Sequence, residues 1–230
     1  MDIAVFAAHL DSTNLRLDAT EADIAALCDE AAAEHFACVM LYPASVAFAA
    51  RRLAGTGARI GTVVGFPSGR FSGGAKAAEI DAAARAGAHE VDIVMNYPAL
   101  LAGHEVEAGA EIAALTARSH ELGLRVKIIV ETCFLDAARR LRALRLCEDA
   151  GVDFIKTSTG FGTAGAKVEY IREWAAARRG RIGLKASGGI QSLADAQAFL
   201  EAGAERLGTS RAGALLAELR GGAPAGVVGY

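Results

Sequence analysis

Cysteine is sparse and unpaired. Cys28, Cys38, Cys133 and Cys147 are scattered with no C-x-x-C spacing, which argues against a disulfide framework or a zinc ribbon and leaves buried free thiols as the expectation. The histidines, His9, His35, His89, His104 and His120, show no H-E-x-x-H or other paired spacing; surface or capping roles are expected for them, and no metal. No G-x-G-x-x-G follows a strand-like run and no P-loop is present, so nothing marks a nucleotide crevice. The N-terminus lacks a basic region and a long apolar run, and no later stretch is long and uncharged enough to span a bilayer, so a cytoplasmic location without membrane contact is expected. A formal net charge of −3 does not suggest nucleic acid. Any bound anion must therefore be held by local donors.

No linker, low-complexity tract or change of composition divides the 230 residues, and a single domain over 1–230 is expected, with a short N-terminal lead and a flexible tail from about 221. What fills the chain is a repeat. β-rich apolar runs (Ala37 to Leu41, Ile60 to Val64, Val91 to Met95, Val126 to Val130, Val152 to Thr157, Ile182 to Lys185, Arg206 to Thr209) alternate with alanine-rich amphipathic stretches. The latter include a helix after Thr20, which has the look of an N-cap, then Ala75 to Ala86, Val106 to Leu122, Ala137 to Ala150 and Leu193 to Ala202. Ala86-Gly87-Ala88, Ala150-Gly151-Val152 and Ala202-Gly203-Ala204 place glycine where a helix end needs a left-handed residue. With the short Leu10-Asp11 segment counted as a strand, the pattern predicts an α/β fold of the (β/α)₈ TIM-barrel type; an open doubly wound sheet is the alternative.

In such a barrel the chemistry sits at the C-terminal strand ends. The polar residues there are Asp11 and Thr13, Tyr42, Asp92 and Asn96, Lys127 with Glu131 and Thr132, Lys156 with Thr157 and Thr159, Lys185 with Ser187, and Thr209 with Ser210. Lys156 lies among Val152, Phe154 and Ile155. Burial disfavours its ammonium form, which makes it a candidate amine nucleophile; alternatively it snorkels to the rim. Lys185 occupies the equivalent place one strand on, so like-charge repulsion could keep one amine neutral. Asp92 is expected to partner these lysines, either as a counter-ion or as a proton shuttle, and Asp11 carries the same ambiguity with a structural leaning. The segments Thr159-Gly160-Phe161-Gly162-Thr163, Ser187-Gly188-Gly189-Ile190 and Gly208-Thr209-Ser210 read as a phosphate cup, because glycine lets backbone N–H groups approach an anion.

With these residues assembled, the chain resembles the deoxyribose-phosphate aldolases, a family of class I, Schiff-base aldolases. The similarity runs from Leu10-Asp11-x-Thr13 through Tyr42-Pro43, Gly65-Phe66-Pro67, Glu90-Val91-Asp92, Lys127-x-Ile129-x-Glu131-Thr132, Phe154-Ile155-Lys156-Thr157-Ser158-Thr159-Gly160 and Lys185-Ala186-Ser187-Gly188-Gly189 to Gly208-Thr209-Ser210. It implies reversible cleavage of 2-deoxy-D-ribose 5-phosphate to acetaldehyde and D-glyceraldehyde 3-phosphate without a cofactor. In that reading Lys156 forms the Schiff base, Lys185 lowers its pKa, and Asp92 moves protons. Asp11, Thr13, Lys127 and Thr159 support them, and Gly160, Gly188, Gly189, Gly208 and Ser210 hold the phosphate. A homo-oligomer, taken as a dimer, is expected.

The chain also departs from the family pattern. Gln191 stands where many members carry a basic residue, and Arg211 is expected to supply that charge. Met40 replaces a frequent cysteine, which should remove one thiol open to attack by aldehydes. Tyr230 ends a tail that either folds over the mouth as a proton relay or is disordered, and Lys167 is expected to be a solvated surface charge. A phosphosugar isomerase and a non-catalytic phosphate-binding barrel are the competing functional readings.

Overall fold

The computed structural model describes residues 1–222, so Tyr230 and the end of the tail lie outside the described residues. The strands are β1 (Leu10–Asn14), β2 (Cys38–Leu41), β3 (Arg59–Val64), β4 (Glu90–Val94), β5 (Arg125–Ile129), β6 (Phe154–Lys156), β7 (Gly183–Ser187) and β8 (Arg206–Thr209). They close in sequence order into a parallel barrel. β1 seals it by pairing with both β2 and β8, Asp11 standing opposite Cys38 on one side and Gly208 on the other. The expected (β/α)₈ architecture is the observed one, and the open-sheet alternative falls.

The helices are α1 (Ile3–Ala7), α2 (Glu21–Glu34), α3 (Val46–Arg52), α4 (Gly73–Ala86), α5 (Tyr97–Leu101), α6 (Glu105–Glu121), α7 (Ala137–Asp149), α8 (Val168–Ala177), α9 (Leu193–Glu201) and α10 (Ala212–Leu219). Thr20 and Ser192 each form a capping box, with Asp23 and Asp195 reaching back to the cap N–H, so two orphan donors are satisfied at each helix start. Gly87, Gly151 and Gly203 all have positive φ (98°, 70° and 109°), as the repeated boundary phrase requires. α1, α3, α5, α8 and α10 are helices that sequence reading did not single out. α1 is only five residues long and is begun by Asp2, whose Oδ1 accepts from the N–H groups of Ala4 and Val5.

Two strands differ in length from the runs read in the sequence. β6 is shorter than the run from Val152 to Thr157. The Val152 N–H is spent on the Cys147 carbonyl at the end of α7, while the Thr157 hydroxyl both donates to the Ser187 carbonyl and accepts from its N–H (3.2 and 3.1 Å). β1 is longer than expected because it is paired on both edges.

The period of two sorts each strand into two faces. Val91 and Ile93, Val126 and Ile128, Ile155, Leu184 and Leu207 point outward into the apolar layer beneath the helices. Glu90, Asp92, Lys127, Lys156, Lys185 and Arg206 occupy the alternate positions, and all are buried. The apolar neighbours of each lysine therefore belong to a different environment from the lysine itself.

Candidate active site

The ionic side chains inside the barrel form one connected network. Asp92 is its centre: its Oδ2 accepts from Lys156 Nζ at 2.7 Å and from Lys185 Nζ at 2.8 Å, and its Oδ1 accepts from Lys127 Nζ at 2.9 Å. Lys185 also donates to Asp11, Lys127 also pairs with Glu90 at 2.5 Å, and Arg206 joins Asp11 to Glu90, its Nε donating to Asp11 Oδ1 at 2.8 Å. Register makes this possible, since Asp92 is opposite Lys127, and Lys156 is opposite Lys185, which is itself opposite Arg206. Gly208 leaves the room that Lys185 needs, because a Cβ there would stand 3.2 Å from Lys185 Cε and 3.0 Å from Ser187 Cβ.

Within this buried set Lys127, Lys156, Lys185 and Arg206 face only Asp11, Glu90 and Asp92. Four cations against three carboxylates leave one positive charge too many for a medium that solvates charge poorly, and the surplus is relieved when one amine sheds its proton. The lysine under most pressure is Lys156. Burial lowers its pKa from the ordinary 10.5 to about 8; Asp92 opposes that fall, and Lys185 and Lys127 add to it. Burial also lowers the pKa of Lys127, but Asp92 and Glu90 outweigh it and raise the group overall. Burial would raise the pKa of Asp92, yet Lys127, Lys156 and Lys185 hold it well below the usual carboxylate range. Asp11, desolvated but flanked by Arg206 and Lys185, is likewise lowered.

Above the network opens a cleft of about 600 Å³, in the size range of small-molecule sites. It is lined by the first loop (Thr13, Leu15, Arg16, Leu17, Asp18), by Lys156, and by the three glycine-bearing loops: Thr159 to Phe161, Ser187 to Gln191, and Gly208 to Ser210. Lys156 is the one cation of the buried network that reaches it. Gly160, Gly188 and Gly189 have positive φ (90°, 83° and 81°), conformations that side-chain-bearing residues rarely adopt. The loops after β6 and β7 are fastened together. Ser187 Oγ donates to the Ser158 carbonyl at 2.7 Å, and the Ala166 N–H lies on the Ser187 and Gly188 carbonyls.

The sequence-derived residues therefore converge, with Asp11, Asp92, Lys127, Lys156 and Lys185 in the network and Thr13, Thr159, Gly160, Gly188, Gly189, Gly208 and Ser210 on the cleft. Lys156 does not snorkel: it is 4 % exposed and ion-paired. Asp11 ties down Lys185 and Arg206 rather than a loop. Arg211 is placed differently from Gln191. It is buried just before α10 with its N–H on Thr209 Oγ1 at 3.0 Å, and it is not among the cleft-lining residues, whereas Gln191 is. Met40 is fully buried inside the barrel, Lys167 is exposed over the Tyr170 ring, and Cys133 is half-buried while the other cysteines are buried.

Glu90, Arg206 and Arg16 were missed. For the first two a signal existed. Glu90 precedes Asp92 by two residues and so shares its face, and Arg206 precedes Gly208 in the same way. Arg16 sits at the cleft rim, where it donates to both Asp18 carboxylate oxygens at 3.0 and 2.9 Å.

Residues 5–227 match the family model described as DeoC/LacD family aldolase. The deoxyribose-phosphate aldolase of Aciduliprofundum boonei is 43 % identical over 211 residues, covering 92 % of this chain and 95 % of that one. That of Deinococcus radiodurans is 43 % identical over 204 residues, with 89 % and 92 % covered. Among solved structures, the deoxyribose phosphate aldolase of Aeropyrum pernix, described as having a unique tetrameric structure, superposes with a TM-score of 0.89 at 30 % identity, covering 95 % of this chain and 92 % of that one. QR15, described as an aldolase, gives 0.89 at 32 % identity, covering 96 % and 97 %. A cleft floored by a buried lysine with a lowered pKa, on a barrel shared along almost its whole length with aldolases, leads to one assignment: the chain belongs to the DeoC/LacD family of aldolases.

Proposed function

We propose that this protein cleaves 2-deoxy-D-ribose 5-phosphate reversibly to acetaldehyde and D-glyceraldehyde 3-phosphate through a Schiff base on Lys156. The observation that carries the reading is that the one amine of the buried network facing the cleft is also the one whose pKa falls to about 8. At pH 7 about a tenth of such an amine is neutral and nucleophilic.

The neutral Nζ adds to the aldehyde carbon of the open-chain sugar, and the carbinolamine loses water to give an iminium. The C3 hydroxyl proton leaves, the C2–C3 bond breaks, and its electron pair passes into the iminium. Glyceraldehyde 3-phosphate departs, leaving the enamine of acetaldehyde. Protonation at C2 and hydrolysis then release acetaldehyde and restore the amine. Asp92, 2.7 Å from Nζ, is the proton donor and acceptor. Lys185 lowers the pKa of Lys156 and exchanges protons through the same carboxylate, while Asp11 and Lys127 hold Lys185 and Asp92 in place. Thr13 and Thr159 shape the cleft on either side. Backbone donors at Gly160, Gly188, Gly189 and Gly208, with Ser210, receive the phosphate, and Arg211 adds positive charge behind Ser210.

The reading takes residues 1–230 as one aldolase domain acting in the cytoplasm as a homo-oligomer, a dimer, with Tyr230 supporting proton transfer. No helix among the described residues is long and apolar enough to cross a membrane.

Borohydride trapping tests the chemistry. With acetaldehyde, the wild type gains a two-carbon adduct on Lys156 by intact mass and peptide mapping, and Lys156→Ala gains none. An adduct that persists in Lys156→Ala, or its absence from wild type together with a flat retro-aldol assay, would overturn the proposal.

A further inference from the structure

Glu131 is a buried charge outside the ionic network. It follows β5 directly, is 1 % exposed, and among the described residues no lysine, arginine or histidine lies within ion-pair distance of it. Its backbone is left-handed, with φ 53° and ψ 67°, a conformation that is unfavourable for an ordinary residue and persists only where the surroundings require it. Among the described residues the other positive-φ residue that is not glycine, His35, ends a helix. Glu131 ends none.

What the turn achieves is visible in the contacts of the carboxylate. It accepts the backbone N–H of Thr159, 3.2 Å from Oε2, and it accepts the Thr159 hydroxyl. The Thr159 hydroxyl oxygen in turn accepts the Phe161 N–H at 3.0 Å. The loop lies so close that a Cβ on Gly162 would meet Cys133 Sγ at 2.8 Å and the Glu131 carboxyl at 3.1 Å. Burial raises the Glu131 pKa; the Thr159 donors oppose that rise first, then the Cys133 thiol and, least, the charge of Lys156, which is too far away to form an ion pair. Thr159, Gly160 and Phe161 are the segment of the loop that lines the cleft.

We infer that Glu131 is a positioning residue that fastens the Thr159–Phe161 loop to the end of β5, holding its backbone N–H groups where the phosphate of the substrate binds. The inference rests on the aldolase reading above and adds to it a division of labour. Glu131 governs the phosphate end of the cleft, and the β4–β8 network governs the amine.

The test compares 2-deoxyribose 5-phosphate with unphosphorylated 2-deoxyribose in wild type, Glu131→Gln and Glu131→Ala, each also trapped with acetaldehyde and borohydride. Glu131→Ala should raise KM for the phosphorylated sugar by at least about tenfold, the scale of a lost hydrogen bond to a charged group, with trapping at Lys156 and kcat/KM for 2-deoxyribose within about twofold of wild type. Glu131→Gln, which keeps one acceptor oxygen and the side-chain volume, should recover part of the KM. An equal loss on both sugars, a loss of trapping, or an unchanged KM would overturn the inference. If Glu131→Ala fails to fold, Glu131→Gln carries the same comparison, with a smaller rise in KM confined to the phosphorylated sugar. Failure of wild type to cleave the phosphorylated sugar would instead sink the aldolase reading.

Discussion

The inside of the barrel has two unlike walls. β2 and β3 contribute Cys38, Met40, Gly61 and Val63, and they bring no buried charge; Arg59, at the start of β3, is exposed and reaches Glu90 only at 3.8 Å. β4 to β8, with β1, contribute every buried member of the ionic network. The contrast separates two influences on the Lys156 amine. A dry surrounding makes its charge expensive, and a counted set of partners decides how much of that expense is offset. Burial is the largest influence on the Lys156 amine; Asp92 opposes it, and Lys185 and Lys127, drawing on the same carboxylate, add to the fall.

The sharpest way to break the contrast is to neutralise the shared partner. Asp92→Asn should lower kcat by 10²–10⁴-fold, the usual scale of a lost proton-transfer group, in a steady-state retro-aldol assay. Next is a test of stability that sets one wall against the other. Glu90→Gln leaves Lys127 and Arg206 short of a carboxylate and should cost roughly 3–5 kcal/mol in urea unfolding, whereas Met40→Leu on the uncharged wall should cost less than about 1.5 kcal/mol. Smallest in free energy is a shift in pH profile. The kcat/KM of wild type should rise with pH through an apparent pKa of about 8 as Lys156 loses its proton. Lys185→Met removes a neighbouring cation and should move that limb to higher pH. The sign for stability is fixed by the same values. Between about 8 and 10.5 the unfolded chain holds a proton on this lysine that the folded chain does not, so stability from this group rises with pH across that window and is lost as pH falls through it.

Much of this was legible beforehand because barrel and site share one rule, strand periodicity. The lysines stood out as charges in apolar runs, and the glycine phrases marked where helices end. Glu90 and Arg206 escaped because they fall at the start of their strands, where a charge reads as a solvated terminus. Only closure of the barrel, with Arg206 brought between Asp11 and Glu90, shows that they are buried. Glu131 was visible as a polar strand end, but its left-handed backbone was not, since glutamate gives no local hint of positive φ. The placement of Arg211 was equally hidden, because spacing along a loop does not say which way a side chain turns.

Phe154 sits at the start of β6, its ring close to the Arg206 and Arg125 guanidinium groups and seated where any Cβ on Gly183 would collide with it at 2.3 Å. With the ion pairs stacked above it, the barrel is a cul-de-sac. In the proposed reaction, the sugar, both products, the water expelled when the iminium forms and the water that later hydrolyses it would all use the one mouth that the glycine loops line. On that reading release would be ordered, because the two-carbon fragment stays bonded to Lys156 until water returns through the space that the phosphorylated fragment has left.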